Sequence, residues 1–224
     1  MIRKIGHLRP FYKGNTKRSA LVLMVAFMPC FISVHFFVFV MVSFASFVGS
    51  FPCVAFSGSR VGSSSAVASC RSFLPVLGGF SGAVGVGCAS GVDASVRSFF
   101  PSASVFSVSS FPVGGRVSRA SFALRSSALV SWCASSGGLL VAFPLGACPS
   151  GVAVSSSFRG CGSGSWGSVA LAVGLACSVL VVSPAGVGSA WFGALASSFR
   201  CVGSAPCGGL LWLSAVAPVQ LSLF

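Results

Sequence analysis

Hydrophobic and polar positions divide this 224-residue chain into four stretches. Residues 1–19 are polar and basic, broken by Pro10 and Gly14, with Ile2, Ile5, Leu8 and Phe11 recurring at every third position as a partial helical stripe. Such an acid-free start is compatible with a mitochondrial presequence, but a basic flank to the next segment is the simpler account. From Ala20 to Val48 there is no Lys, Arg, Asp or Glu. That run exceeds the ~20 residues a helix needs to cross a bilayer core, and the ~7–15 of a secretory signal core. Its Leu, Val, Phe and Ile side chains together favour insertion by on the order of −5 kcal/mol, less the cost of Pro29, His35 and the serines. Segment 20–48 is therefore expected to be a transmembrane helix, with residues 1–19 on the cytoplasmic side.

Residues 49–126 are rich in Ser, Gly, Val and Phe and are interrupted by Pro52, Pro75, Pro101 and Pro112. Alternation over Ser102–Val108 is a strand signal, but an isolated one. No repeat of fixed period emerges, and the Ser clusters have the character of a low-complexity region. Residues 127–224 are weakly hydrophobic. Their uncharged stretches 127–147, 167–183 and 208–224 are candidates for further membrane helices, diluted by Gly, Ser and Pro. The fold class expected from this pattern is mainly α and membrane-type. One transmembrane helix lies near the N-terminus, and the Ser/Gly/Val/Ala/Phe-rich remainder has weak additional helices and no well-defined globular fold.

Composition strengthens that expectation. Hydrophobic residues make up 54% and charged residues 7%, against about 25% charged in an ordinary soluble domain. A polar shell would have to be built from Ser and Gly. The expected localisation is a membrane, and the expected partner a lipid bilayer.

The net charge of +13 comes from fourteen Lys and Arg against one acid, Asp93. Such an excess suggests an anionic partner. Six of these cations lie within residues 3–18; the other eight are isolated arginines from Arg60 to Arg200. Beyond residue 18 there is no basic cluster interleaved with aromatics, which argues against a nucleic-acid partner. The basic arm itself, residues 3–18, is a candidate contact for anionic lipid or nucleic acid.

Past Met41 the alphabet narrows: no Ile, Met, Thr, Asn, Lys, Tyr, His or Glu follows, and Asp93 and Gln220 stand alone of their kinds. The missing residues share no physical property. They share adenine at the first or second codon position. Selection on packing would not keep Val and Leu while excluding Ile. A message poor in adenine also lacks stop codons, so a fortuitous or antisense reading frame without evolved function is one account of the chain.

Chemistry-bearing residues are few. The ten cysteines, from Cys30 to Cys207, are irregularly spaced and include no C-x-x-C pair, so neither a disulfide scaffold nor a zinc site is expected. A Ser-His-Asp triad would have to draw on His7, His35 and Asp93, and no G-x-S-x-G elbow is present. Tyr12 lies in the basic arm, and His35 has no ionisable partner within its span. Gly162-Ser163-Gly164-Ser165-Trp166-Gly167 fits the dinucleotide pattern G-x-G-x-x-G, but no acid follows about twenty residues on, and chance accounts for the match in a chain with 28 Gly. No catalytic, cofactor-binding or metal-binding residue, no small-molecule substrate and no enzymatic activity is therefore expected.

Overall fold

The computed structural model of the chain describes residues 44–214. After a short helical stretch at 44–49 they form an α/β/α sandwich. The elements are β1 (Cys53–Gly58), α1 (Ser65–Phe73), β2 (Ala83–Gly87), α2 (Val92–Phe99), β3 (Ser104–Phe106), α3 (Arg119–Ser135), β4 (Leu139–Phe143), α4 (Gly164–Gly174), β5 (Ser178–Ser183), β6 (Phe199–Ser204) and β7 (Leu210–Ser214). Turns of 3-10 helix fill Leu74–Leu77, Val108–Ser110 and Ser189–Ser198.

The seven strands make one sheet in the order β3-β2-β1-β4-β5-β7-β6. The first five are parallel, and β7 and β6 close the edge antiparallel. At the centre Val54 faces Leu139 and Phe56 faces Val141. Period-two alternation deals the strand residues onto two cores. Val54, Phe56, Leu139, Val141, Phe143, Leu180 and Val182 pack on one face, beneath Val67, Cys70 and Phe73 of α1 and Val92 and Val96 of α2. Ala55, Leu140, Ala142, Val179 and Val181 pack on the other, beneath Leu129, Val130 and Cys133 of α3 and Trp166 and Val169 of α4. Strands covered on both faces read as unbroken apolar runs, and all five residues of β4 are buried.

These findings correct the mainly α, membrane-type expectation. Among the described residues no helix is long and apolar enough to cross a membrane, so the membrane localisation and the transmembrane character expected from composition have no support there. The stretch 127–147 is the end of α3, a Gly137–Gly138 turn and β4; 167–183 is most of α4 followed by β5. The described part of 208–224 holds β7, an antiparallel strand. The region 49–126 is built from β1, α1, β2, α2, β3 and the start of α3, where low complexity was expected. The alternation at Ser102–Val108 contains β3, whose parallel partner is β2. Segment 20–48 lies outside the described residues except for its last five positions, and residues 1–19 lie outside them entirely.

Burial without charge leaves a thermodynamic signature. Cys70 is fully buried in α1, and desolvation, reinforced by the charge of Asp93 and opposed by Arg71, pushes its thiol from 9.0 up to about 12. The folded state therefore holds this proton more tightly than the unfolded chain. Its contribution to stability is complete below pH 9.0 and is lost as pH rises toward 12. The urea midpoint is expected to fall through that window, and less steeply in Cys70→Ala. Equal slopes in the two proteins would assign the alkaline loss to other groups.

Candidate functional site

The order β3-β2-β1-β4-β5 means that the chain winds outward from β1 through β2 to β3, then returns to lay β4 on the other side of β1. Beyond the carboxyl ends of β1 and β4, the connections leave toward opposite sides, which opens a crevice. A cavity of about 1120 Å³ lies there, slightly above the ~300–1,000 Å³ typical of small-molecule pockets.

One wall is the loop after β1. Ser59 is fastened at both ends: its amide donates to the Phe143 carbonyl, and its own carbonyl accepts from the Val92 amide at the start of α2. Its hydroxyl accepts from the Val61 amide at 3.1 Å. The next residue, Arg60, places its guanidinium 5.0 Å from the centroid of the Phe122 ring, an arrangement that orients the cation at little cost. The Ser90 hydroxyl donates to the Arg60 carbonyl at 2.7 Å, tying the loops after β1 and β2 together. Gly91, at φ +71°, completes this junction; a Cβ there would run into the Ser59 carbonyl.

The floor holds the ion pair. Asp93, in the first turn of α2, accepts from Arg125 Nη1 at 3.0 Å and from the Ala89 amide at 3.2 Å. Asp93 is 6% and Arg125 8% exposed. Gly87 leaves room for this contact, because a Cβ there would overlap Arg125 Nη1. Arg97 braces the same loop, donating to the Gly87 and Ala89 carbonyls at 2.6 and 3.0 Å. Arg125 Nε is buried and has no hydrogen-bond partner among the described residues. An orphaned donor of a charged group is costly, and this one belongs to a residue that lines the cavity. Arg119, also on α3, adds a third cation to the lining.

The opposite wall is the N-terminal end of α4. Ser163 caps it, its hydroxyl accepting from the Trp166 amide at 3.4 Å and its carbonyl from the Gly167 amide at 2.9 Å. The amides of Gly164 and Ser165 open the helix and have no intrahelical acceptor. The positive end of the helix dipole lies at the same place. Trp166 anchors the wall: it is 1% exposed, and its indole N–H donates to the Gly146 carbonyl at 2.9 Å.

The structure thus gathers some of the residues weighed in the sequence and not others. Asp93 is in the cavity, as partner to Arg125. Residues of the G-x-G-x-x-G match line it as well, but after β4 at the start of α4; Trp166 sits inside the helix, where its bulk fills core. His7, Tyr12, His35, Cys30 and the basic arm lie outside the described residues. Arg60, Arg119 and Arg125 are the functional candidates that sequence spacing misses. They look isolated because residues 60, 119 and 125 converge only when β1 and α3 pack. Among the described residues, no group of three His, Cys, Asp or Glu is arranged to hold a metal ion. Compared with models of known protein families and with curated proteins, the chain matches none.

Proposed function

We propose that the chain binds a phosphorylated small molecule of nucleotide size in the crevice between the carboxyl ends of β1 and β4. The observation that carries this reading is the convergence of Arg60, Arg119 and Arg125 with the open amides of α4 on one cavity at the point where the strand order reverses. The lining supplies three cations, Arg60, Arg119 and Arg125, against one carboxylate that is already paired. An anion is the complementary ligand. The volume has room for a sugar and a planar base beside a phosphate, with Phe122 and Phe158 in the wall as apolar surface.

The test is calorimetric titration of the full chain with adenosine 5′-monophosphate, with adenosine and inorganic phosphate run separately. Binding of the monophosphate and not of adenosine is expected. Gly164→Pro is the informative variant. Proline is tolerated at the first helical position and removes one N–H. The preceding residue, Ser163, is already extended, and space around Gly164 is open. Affinity should drop roughly tenfold, the loss of one hydrogen bond to a charged acceptor, with thermal stability unchanged. No binding by any of the three probes, or binding indifferent to Gly164→Pro and Arg119→Ala, would overturn the reading.

A second reading, a product of a fortuitous frame without evolved function, is supported by the adenine-avoiding alphabet beyond Met41. It predicts no selective ligand and no dense pattern of coding constraint on this strand of the message.

A further inference from the structure

At the other end of the strands from the crevice, three thiols meet around Gly138. Cys53 starts β1, Cys133 lies in the last turns of α3, and Cys177 directly precedes β5. All three are buried, and all are reduced. The sulfurs of Cys133 and Cys177 are 3.8 Å apart across a sequence separation of 44 residues. Backbone geometry holds both in place. The Gly138 amide donates to the Cys133 carbonyl at 2.8 Å, and the Cys177 amide to the Ala172 carbonyl at 2.9 Å. Ala176, a non-glycine residue at φ +54°, turns the chain so that Cys177 points inward. Gly138 supplies the space: a Cβ there would overlap Cys53 Sγ and lie 2.9 Å from Cys133 Sγ.

We propose that Cys133 and Cys177 form a dithiol centre that a small peroxide converts to a disulfide. The pair is separated by little more than van der Waals distance, and closing it to a bond of about 2.05 Å needs a shift of under two ångströms shared between a helix end and a loop. Cys177 is the attacking sulfur, because it lies on the turn before β5 at 3% exposure, whereas Cys133 is wholly enclosed in α3. Its hydrogen bond with Cys133 holds its thiol below the ordinary range, while the same bond, together with burial, raises Cys133. The Cys177 thiolate attacks one oxygen of hydrogen peroxide; the O–O bond breaks and hydroxide leaves, taking a proton to become water. The Cys177 sulfenic acid so formed is attacked by the Cys133 sulfur. The S–O bond breaks, the disulfide forms, and the hydroxyl leaves with the Cys133 proton as a second water. Two electrons pass from the two sulfurs to one peroxide. The small size of the oxidant suits thiols that are at most 3% exposed. Cys53 contacts the Cys133 carbonyl, with its sulfur 4.0 Å from that oxygen, and takes no part. The cross-link encloses β4 and α4, and with them the wall of the crevice that carries the open amides.

The experiment begins with the full chain under native conditions. Iodoacetamide first blocks exposed thiols such as Cys161 and Cys201; stoichiometric hydrogen peroxide follows, and the unreduced protein is digested and mapped by mass spectrometry. The expected product is a peptide pair linked through Cys133 and Cys177, short of two hydrogens, that dithiothreitol separates. The thermal midpoint should rise on oxidation and return on reduction. Cys53→Ser should form the same link. Cys133→Ser should stop at the Cys177 sulfenic acid, trapped as its dimedone adduct. A wild-type map with no link between these residues, or a dominant Cys53–Cys133 link, overturns the proposal without recourse to any variant.

Discussion

Asp93→Ala is expected to destabilise the fold by about 3–5 kcal/mol, the cost of leaving a buried cation without its partner. Asp93 is the only carboxylate side chain in the sequence, and it accepts from both Arg125 and the Ala89 amide. Its removal strands the guanidinium, whose Nε already lacks a partner among the described residues. No other carboxylate can move in to replace it. The pair itself need not be favourable relative to an apolar core. The double variant Asp93→Ala/Arg125→Met should therefore recover most of the loss, because methionine occupies the stem volume of arginine and carries no charge. Urea denaturation of the two single variants and the double variant closes the cycle. A cost under about 1 kcal/mol for Asp93→Ala would mean that water entering the crevice solvates Arg125 well enough to substitute for the carboxylate.

That pair also illustrates what spacing along the chain hides. Asp93 stands out in the sequence because it is unique, yet its partner lies 32 residues away on another element. The arginines look dispersed for the same reason. One local signal was legible, the alternation that contains β3, whereas the glycine-rich hexapeptide that opens α4 was indistinguishable from chance in so glycine-rich a chain. The α/β architecture was not legible. Buried parallel strands lose the polar alternation that marks an exposed sheet, so Leu139–Phe143 resembles a fragment of a membrane span. Length is the arbiter, since the run is bounded by Gly137-Gly138 and Pro144 within five residues. Gly164–Gly174 misleads similarly, being buried around most of its circumference, with β5 following after a short turn. Helix starts were masked by serine abundance: Ser64 and Ser163 are true caps, but in a chain so rich in serine the residue type carries little information.

The narrow alphabet does not prevent a consistent core. Val and Leu occupy strand positions that Ile would otherwise share, a substitution cores tolerate when volume is kept. Serine meets polar needs inside: Ser183 accepts from the Trp212 indole at 3.1 Å, and the Ser214 hydroxyl accepts from the Val179 amide at 2.9 Å. Each is a hydroxyl placed where the sheet changes from parallel to antiparallel pairing.

Trp166→Ala should be comparably damaging, at about 3–5 kcal/mol, for a different reason. Its ring is enclosed by Trp191 and Phe192 at centroid distances of 5.1 and 5.5 Å, both edge-on, and truncation would leave a void walled on that side by aromatics. The Gly146 carbonyl would also lose its indole donor. Because that bond ties the loop after β4 to the first turn of α4, the variant should weaken monophosphate binding beyond what lowered stability explains. Trp166→Phe separates the two effects: it refills most of the void and restores most of the stability, but leaves Gly146 untethered. Denaturation and titration of both variants decide the matter. If phenylalanine restores stability and binding alike, the indole N–H plays no part in shaping the crevice, and the wall is held by packing alone. If it restores stability and leaves binding weak, one hydrogen bond from the core sets the position of the amides proposed to meet the phosphate.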